Sequence, residues 1–149
     1  MKLRIEISED LAENEVIIRC PRMDDSVKKL QAYIRSLSSP KLVFYKDHQE
    51  FYLPIEKILF FETDSEQVYA HTANDAFRVK QKLYELEEIL PRTFIRAAKG
   101  TIVNTALIYA INRSFTSSSQ IMFAGTHKNV FVSRHYYNAL KDKMNERSV

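Results

Sequence analysis

Hydrophobic and polar positions alternate along most of this chain, and in three stretches the period lengthens to that of a helix. Lys2–Ile7 places Leu3, Ile5 and Ile7 on one side and Lys2, Arg4 and Glu6 on the other, which predicts a half-buried strand. Glu15–Cys20 predicts a second strand, antiparallel to the first and ended by Pro21. Asp24-Asp25-Ser26 is rich in helix N-cap residues, and Val27, Leu30, Ile34 and Leu37 recur at helical spacing. A helix over 24–37 follows, stopped at Ser38-Ser39-Pro40. This ββα unit, residues 1–40, is too small to bury a core alone. It is expected to serve packing or self-association, against the rest of the chain or a second copy.

Residues 41–149 read as the larger unit. Apolar-rich runs at Lys41–Tyr45, Phe51–Leu53, Ile58–Phe61, Gln67–Thr72 and Ala76–Lys80 are separated by turn signals, with Glu62–Glu66 as a loop, and predict an antiparallel meander. Lys82–Leu90 carries Leu83, Leu86, Ile89 and Leu90 at helical spacing and ends at Pro91. In Phe94–Asn104, FIRAAKGTIVN, the alternation breaks at Ala97–Gly100, so that two buried anchors present Lys99 on a short connection. Gly100 is expected to supply a positive φ or a close backbone approach there. Ala106–Ile111, Ser119–Phe123 and Asn129–Val132 predict further strands around a Ser/Thr-rich loop, Arg113–Ser118, and a turn at Gly125. Ser133 is expected to cap a last helix, 133–146, whose stripe is Tyr136 or Tyr137, Leu140 and Met144. The class is mainly β (α+β), antiparallel, with short helices.

Composition narrows the function. With 45% hydrophobic residues, 8 Tyr and 9 Phe, the 149-residue chain holds enough apolar mass for a core, which excludes a disordered class. Cys20 is the only cysteine, so no internal disulfide is available. The longest apolar run, Ala106–Ile111, is too short to span a bilayer, and the N-terminus lacks a signal-peptide core. A cytoplasmic location is expected. The charge is unevenly spread. Residues 1–90 hold 13 Lys/Arg against 17 Asp/Glu, net −4, whereas residues 91–149 hold 9 against 2, net +7. A basic second half points to a polyanionic partner.

No catalytic constellation emerges, and the chain is not expected to be an enzyme. His48, His71, His127 and His135 are scattered without ligand spacing, Cys20 has no paired thiol, and neither glycine belongs to a phosphate-binding loop. Asp64 and Glu66 read as a solvated acidic loop rather than a carboxylate pair. No metal or cofactor is expected.

Four segments in order, KILFFETDSEQVYAHT, KLYELEEILP, FIRAAKGTIVN and VFVSRHYYNALK, resemble the LytTR-type DNA-binding domain, the output module of many bacterial response regulators. The shared pattern includes Phe94-x-Arg96, Val103-Asn104 and Val132-Ser133-Arg134, and the resemblance spans Lys41–Met144. Where that family usually places His, a polar or basic residue and Ser, this chain reads Ala98, Lys99 and Gly100; the acidic loop before it leaves Glu66 or Gln67 to face a base. The resemblance implies elongated antiparallel β-sheets of LytTR type. It also implies a sequence-specific transcriptional regulator whose loops, not a recognition helix, enter the major groove of double-stranded DNA. It assigns Lys99, Arg134 and Gln67 to base edges and Arg96, Arg113 and Lys128 to phosphates. For Arg96 the competing reading is a structural ion pair, and for Arg134 a solvent-facing helix start. The N-terminal unit stands where response regulators carry a receiver. The chain is similar in this to stand-alone LytTR regulators of low-GC Gram-positive bacteria, some of which are held in check by a membrane protein encoded beside them. Duplex DNA, a second copy as homodimer and a membrane-bound inhibitory protein are the partners so implied. Two other classes stay open on the residues alone. One is a protein-interaction module or anti-regulator using the acidic front, Asp24-Asp25 and Glu85–Glu88; the other is an RNA-binding domain stacking bases on exposed aromatics.

Overall fold

The computed structural model describes residues 1–38 and 41–147. The chain folds as two compact units, Met1–Leu37 and Ser38–Val149.

In the first unit one helix forms, α1 (Asp25–Ser38). Asp24 caps it: its Oδ1 accepts the Val27 N–H at 3.0 Å and the Ser26 hydroxyl at 2.6 Å. These two hydrogen bonds, the Ser26 hydroxyl first, hold the Asp24 carboxyl below the usual carboxylate range. Val27 is buried, Leu30 and Ile34 are half-buried, and Leu37 is exposed. The Ser39-Pro40 part of the expected helix stop lies outside the described residues. The ββα expectation needs correction, because residues 1–24 contain no strand. Leu3, Ile5 and Ile7 are 89%, 76% and 93% exposed, so the alternation finds neither a ladder partner nor a surface within the unit. Two short strands without a third or a packed face are marginal in water.

Among the described residues the second unit holds ten strands. A seven-stranded sheet comprises β1 (Phe44–Lys46), β2 (Gln49–Phe51), β3 (Phe60–Asp64), β4 (Gln67–His71), β5 (Ala76–Val79), β6 (Phe94–Ala98) and β7 (Thr101–Asn104), in the order β2-β1-β5-β4-β3-β7-β6. A three-stranded sheet, ordered β10-β9-β8, comprises β8 (Ile108–Asn112), β9 (Ser119–Phe123) and β10 (Asn129–Val132). Every pairing is antiparallel. Helix α2 (Leu83–Ile89) and helix α3 (Arg134–Arg147) complete the unit. None of the helices among the described residues is long and apolar enough to cross a membrane.

Consecutive apolar residues in β3 and β7 explain the layering. Side chains alternate across a strand, so a doublet is buried only if both faces are covered. Phe61 and Ile102 enter one core with Phe44, Phe77, Leu86 and Phe94. Their neighbours Phe60 and Val103 enter a second core with Ala97, Ile121, Val132 and Leu140. Leu83 and Leu86 place α2 on the first face; the small sheet and α3 cover the second. The α3 stripe is as expected, with Leu140 fully buried and Tyr136, Tyr137 and Met144 packed around it. Arg147 fastens the far end of that helix, donating to the Thr105 and Ile108 carbonyls at 2.6 and 2.7 Å.

Several boundaries differ from the sequence reading: the strands expected at Lys41–Tyr45 and Phe51–Leu53 form instead at Phe44–Lys46 and Gln49–Phe51, and the one expected from Ile58 begins at Phe60. The expected loop Glu62–Glu66 is mostly strand: β3 continues to Asp64, which pairs with Gln67, and only Ser65-Glu66 turns. Those outer rungs are solvent-exposed, so they carry no hydrophobic signal. In the expected strand Ala106–Ile111, residues Thr105–Leu107 instead make a 3-10 turn. Asn104 causes it, because its side chain accepts the Ala106 N–H at 3.1 Å and bends the chain before β8 begins.

Candidate nucleic-acid interface

Four separate segments of the second unit end at the same edge of the fold. The first is the β3–β4 hairpin, whose turn residues Ser65 and Glu66 have φ of 50° and 67°. Positive φ at both central residues defines a type I′ turn, which keeps the hairpin two residues long. Gln67, the first residue of β4, is exposed beside it. The second is the β6–β7 hairpin, where Ala98 pairs with Thr101 and Lys99-Gly100 makes the turn. The Thr63 N–H donates to the Gly100 carbonyl at 2.9 Å, stitching the two hairpin tips side by side. Of the two uses expected of Gly100, a positive φ is not taken, and a Cβ there would lie 3.9 Å from Thr63 Cβ, an ordinary contact.

Arg96 braces the second tip from below. Its guanidinium donates to the Lys99 carbonyl and pairs with Glu87 of α2. The ion-pair reading of Arg96 is thus the geometry observed, and its effect is to hold the turn that carries Lys99. Lys99 itself is exposed, and among the described residues its ammonium has no hydrogen-bond or ion-pair partner.

The third segment is the junction of β10 and α3. The Ser133 N–H donates to the Ala97 carbonyl at 2.9 Å, two residues before Lys99. This bond sits at a bulge in β6 between Arg96 and Ala98. Arg134 follows at the start of α3, exposed and without a side-chain partner among the described residues. Ser133 does not cap through its side chain, since its hydroxyl is buried without a partner among the described residues. The helix start is held instead by the Ser133 carbonyl, which accepts the Tyr136 N–H at 3.1 Å.

The fourth segment, the loop between β8 and β9, reaches the same edge because Ser119 pairs with Val132. The loop is folded on itself by the Ser114 hydroxyl, which lies 2.8 Å from the Ser117 hydroxyl and accepts the Ser117 N–H at 3.1 Å. The Arg113 guanidinium lies over the rings of Phe115 and Tyr137, 4.7 and 5.2 Å from their centroids. Arg113, Ser117, Arg134 and Tyr137 line a shallow concavity of about 150 Å³. Phe115, 79% exposed, was not among the residues singled out from the sequence; the one signal for it is an aromatic isolated in a serine-rich loop.

Lys128 lies at the opposite end of both sheets. It precedes Asn129, which pairs with Met122 at the end of β9 remote from Ser119. Its ammonium donates to the Asp75 carbonyl at 2.6 Å and contacts His71 Nδ1 at 3.2 Å. His71 Nε2 lies 2.8 Å from Glu62, and the ring stacks on Phe60. An ammonium on Nδ1 makes that nitrogen the acceptor, so Nε2 carries the hydrogen facing Glu62. Burial pushes His71 below its ordinary value; the Glu62 carboxylate opposes this and the Lys128 charge adds to it. Burial likewise pushes Lys128 down, with Asp75 and Glu62 opposing. Thr126 donates to the Ala73 carbonyl at 2.8 Å, so the β9–β10 turn is tied to the β4–β5 turn at two points.

Five of the six candidate residues thus gather at one edge, with Gln67, Lys99, Arg113 and Arg134 exposed and Arg96 beneath them, while Lys128 does not. Among the described residues no group of three or more His, Cys, Asp or Glu is placed to hold a metal ion.

Residues 48–145 match the family of the LytTr DNA-binding domain. The chain is 30% identical over 145 residues to an uncharacterized HTH-type transcriptional regulator of Staphylococcus aureus strain NCTC 8325, covering 97% of this chain and 98% of the relative. It is 31% identical over 147 residues to the corresponding protein of the bovine strain RF122, with the same coverage. The structure of a LytTr DNA-binding domain from Bacillus cereus aligns with a TM-score of 0.65 at 22% identity, over 71% of this chain and 98% of that domain. Among the described residues the three helices are each separated by strands, so no two of them make a helix-turn-helix.

Proposed function

The chain belongs to the LytTr DNA-binding domain family, and from that premise we propose that it is a transcriptional regulator that reads duplex DNA with the four-segment edge. The observation that carries this reading is the convergence of Gln67, Lys99, Arg113 and Arg134 from four separate segments, all exposed and three of them cationic. A protruding hairpin or loop fits the major groove, where each base pair presents a distinct pattern of donors and acceptors.

Roles follow from chemistry and placement. Lys99 and Arg134 carry donors only, and guanine offers two acceptors in the major groove, so both are assigned to guanine edges. Gln67 donates and accepts, which suits adenine. Asp64 and Glu66 flank it at the same tip. Their charge repels phosphate, so this tip is suited to base edges rather than to the backbone, with Glu66 able to accept from a cytosine amino group. Arg113, beside a concavity it shares with Ser117 and Arg134, is assigned to a phosphate. Arg96 acts through Lys99 as a positioning residue, and Lys128 braces the opposite end.

The test is selection of bound sequences from random duplex DNA with the purified protein, followed by titration of the recovered site across salt concentrations. A defined site and a steep fall in affinity with salt are expected. Equal binding to all duplexes, or none, would overturn the reading. A self-association role for the first unit is proposed beside this reading and does not depend on it.

A further inference from the structure

Ten of the sixteen large hydrophobic side chains that stand exposed among the described residues fall in residues 1–37. That concentration is unusual for a surface facing only water. Leu3, Ile5 and Ile7 supply three of them, on one side of a segment whose other side carries Lys2, Arg4 and Glu6. Arg4 and Glu6 project together, with Arg4 Nη2 2.6 Å from Glu6 Oε1, as residues i and i+2 do in an extended chain.

We propose that residues 2–8 pair with the same residues of a second copy, antiparallel about Ile5, and that this pairing makes the chain a dimer. Identical strands that pair antiparallel are related by a two-fold axis, so each residue has a fixed opposite. With the axis at Ile5, Ile5 faces itself, Leu3 faces Ile7, Arg4 faces Glu6 and Lys2 faces Ser8. Apolar meets apolar on one face, and both charge pairs on the other face are opposite in sign. Neighbouring registers fail. An axis at Arg4 or at Glu6 sets like charges directly opposite, and a shift by one residue places every apolar side chain against a polar one. The exposed Arg4 and Glu6 select the register more than they drive association, since each already has a partner within its own chain. The driving terms are the ladder hydrogen bonds that residues 2–8 lack alone and the six apolar side chains gathered on one face of the ribbon. The same unit offers that face a groove of about 310 Å³ along α1, lined by Val16, Ile18, Met23, Val27 and Ile34.

The inference concerns residues 2–8 alone and stands or falls apart from the DNA reading. Its test is the mass of the full chain in solution, measured by sedimentation equilibrium in a Cys20→Ser background. The parent protein is expected to be a dimer. Arg4→Glu alone sets Glu against Glu at both pairs, and Glu6→Arg alone sets Arg against Arg, so each is expected to weaken the dimer about tenfold. An equimolar mixture of the two variants restores both pairs between unlike chains and should recover the parent affinity as a heterodimer. Ile5→Cys should form a disulfide dimer on mild oxidation, because facing Cα atoms in an antiparallel pair fall within disulfide reach, whereas Lys2→Cys should not. A monomeric parent would overturn the proposal. So would a dimer indifferent to the charge reversals, a mixture no tighter than its components, or equal cross-linking at positions 2 and 5.

Discussion

Asn104 is 2% exposed and uses both ends of its side-chain amide. Its Nδ2 donates to the Ile58 carbonyl at 3.0 Å and its Oδ1 accepts the Ala106 N–H. Asn104→Ala strands the buried Ile58 carbonyl and frees the part-buried Ala106 N–H, and the expected cost is about 1–3 kcal/mol, read as a lower denaturation midpoint with unchanged slope. A change within error would mean that water or a backbone shift re-satisfies them. At the proposed interface the expected outcomes differ by residue. Arg134→Ala should cost about 1–3 kcal/mol on the selected site and relax preference at one base pair, with Lys99→Ala weaker at another because lysine lacks the rigid fork. Arg113→Ala should weaken all duplexes alike and reduce the salt slope by about one unit. Lys128→Ala should leave that slope unchanged, and a slope reduced by a full unit would return Lys128 to the DNA. Its effect belongs to His71. The folded-state pKa of His71 is lowered, so between that value and the unfolded value of about 6.5 the unfolded chain binds more protons. Stability is therefore full above about pH 6.5 and declines as pH falls through the window. Lys128→Met should raise the His71 pKa, measured by NMR of the ring; a native His71 that titrates at its ordinary value would refute the lowered value. None of this pairing was legible in the sequence, because His71 and Lys128 are far apart in the chain and nothing local marks them as neighbours. Lys99, Arg134 and Gln67, by contrast, could be nominated from the ordered motif in which they sit, and the fold brings all three, exposed, to one edge.

At the scale of elements, strands were legible where both flanks and the buried face were marked. Ser119–Phe123 and Asn129–Val132 form with the bounds their alternation predicts. The outer rungs of β3 were not legible, being polar on both faces, so its connection and the one between β1 and β2 were placed correctly but read as longer than the two-residue turns observed. Asp47 and His48 have φ of 50° and 65°, as Ser65 and Glu66 have 50° and 67°, so both hairpins use left-handed residues without a glycine. Such turns are normally announced by Asn-Gly, and L-residues there are strained by about 1–2 kcal/mol each. The double variant Ser65→Asn with Glu66→Gly should relieve part of that strain and raise stability by about 1 kcal/mol, measured by chemical denaturation. An unchanged or lower midpoint would show that the native side chains compensate. If Glu66 reads a cytosine, the more stable variant should also discriminate less at that base pair, so stability and specificity move in opposite directions. The N-terminal segments show the converse error. Alternation at residues 2–7 is a property of the sequence, whereas a strand also requires a ladder partner and a covered face, and in the single chain Leu3, Ile5 and Ile7 have neither.

At the scale of the whole molecule, stability and the proposed self-association fall to different units. Among the described residues Val27 is the one buried hydrophobic of the first unit, and both cores lie in the second. A chain beginning at Ser38 should therefore keep its denaturation midpoint, its affinity for a duplex bearing one selected site, and its salt slope. The full chain should differ only where two copies act together. On a duplex with two sites, the paired N-terminal segments convert the second binding event into an intramolecular one, which raises apparent affinity by about 100-fold or more when the spacing permits simultaneous engagement. The truncated chain should lose that gain, and so should Arg4→Glu, while the mixture of Arg4→Glu with Glu6→Arg should regain it. Band-shift titration of one-site and two-site duplexes with these proteins separates the possibilities. Loss of one-site binding on truncation would place the first unit in the reading of DNA itself. Equal two-site binding by full and truncated chains would mean that the domains bind independently, and that pairing about Ile5, even where it forms, does not reach the DNA.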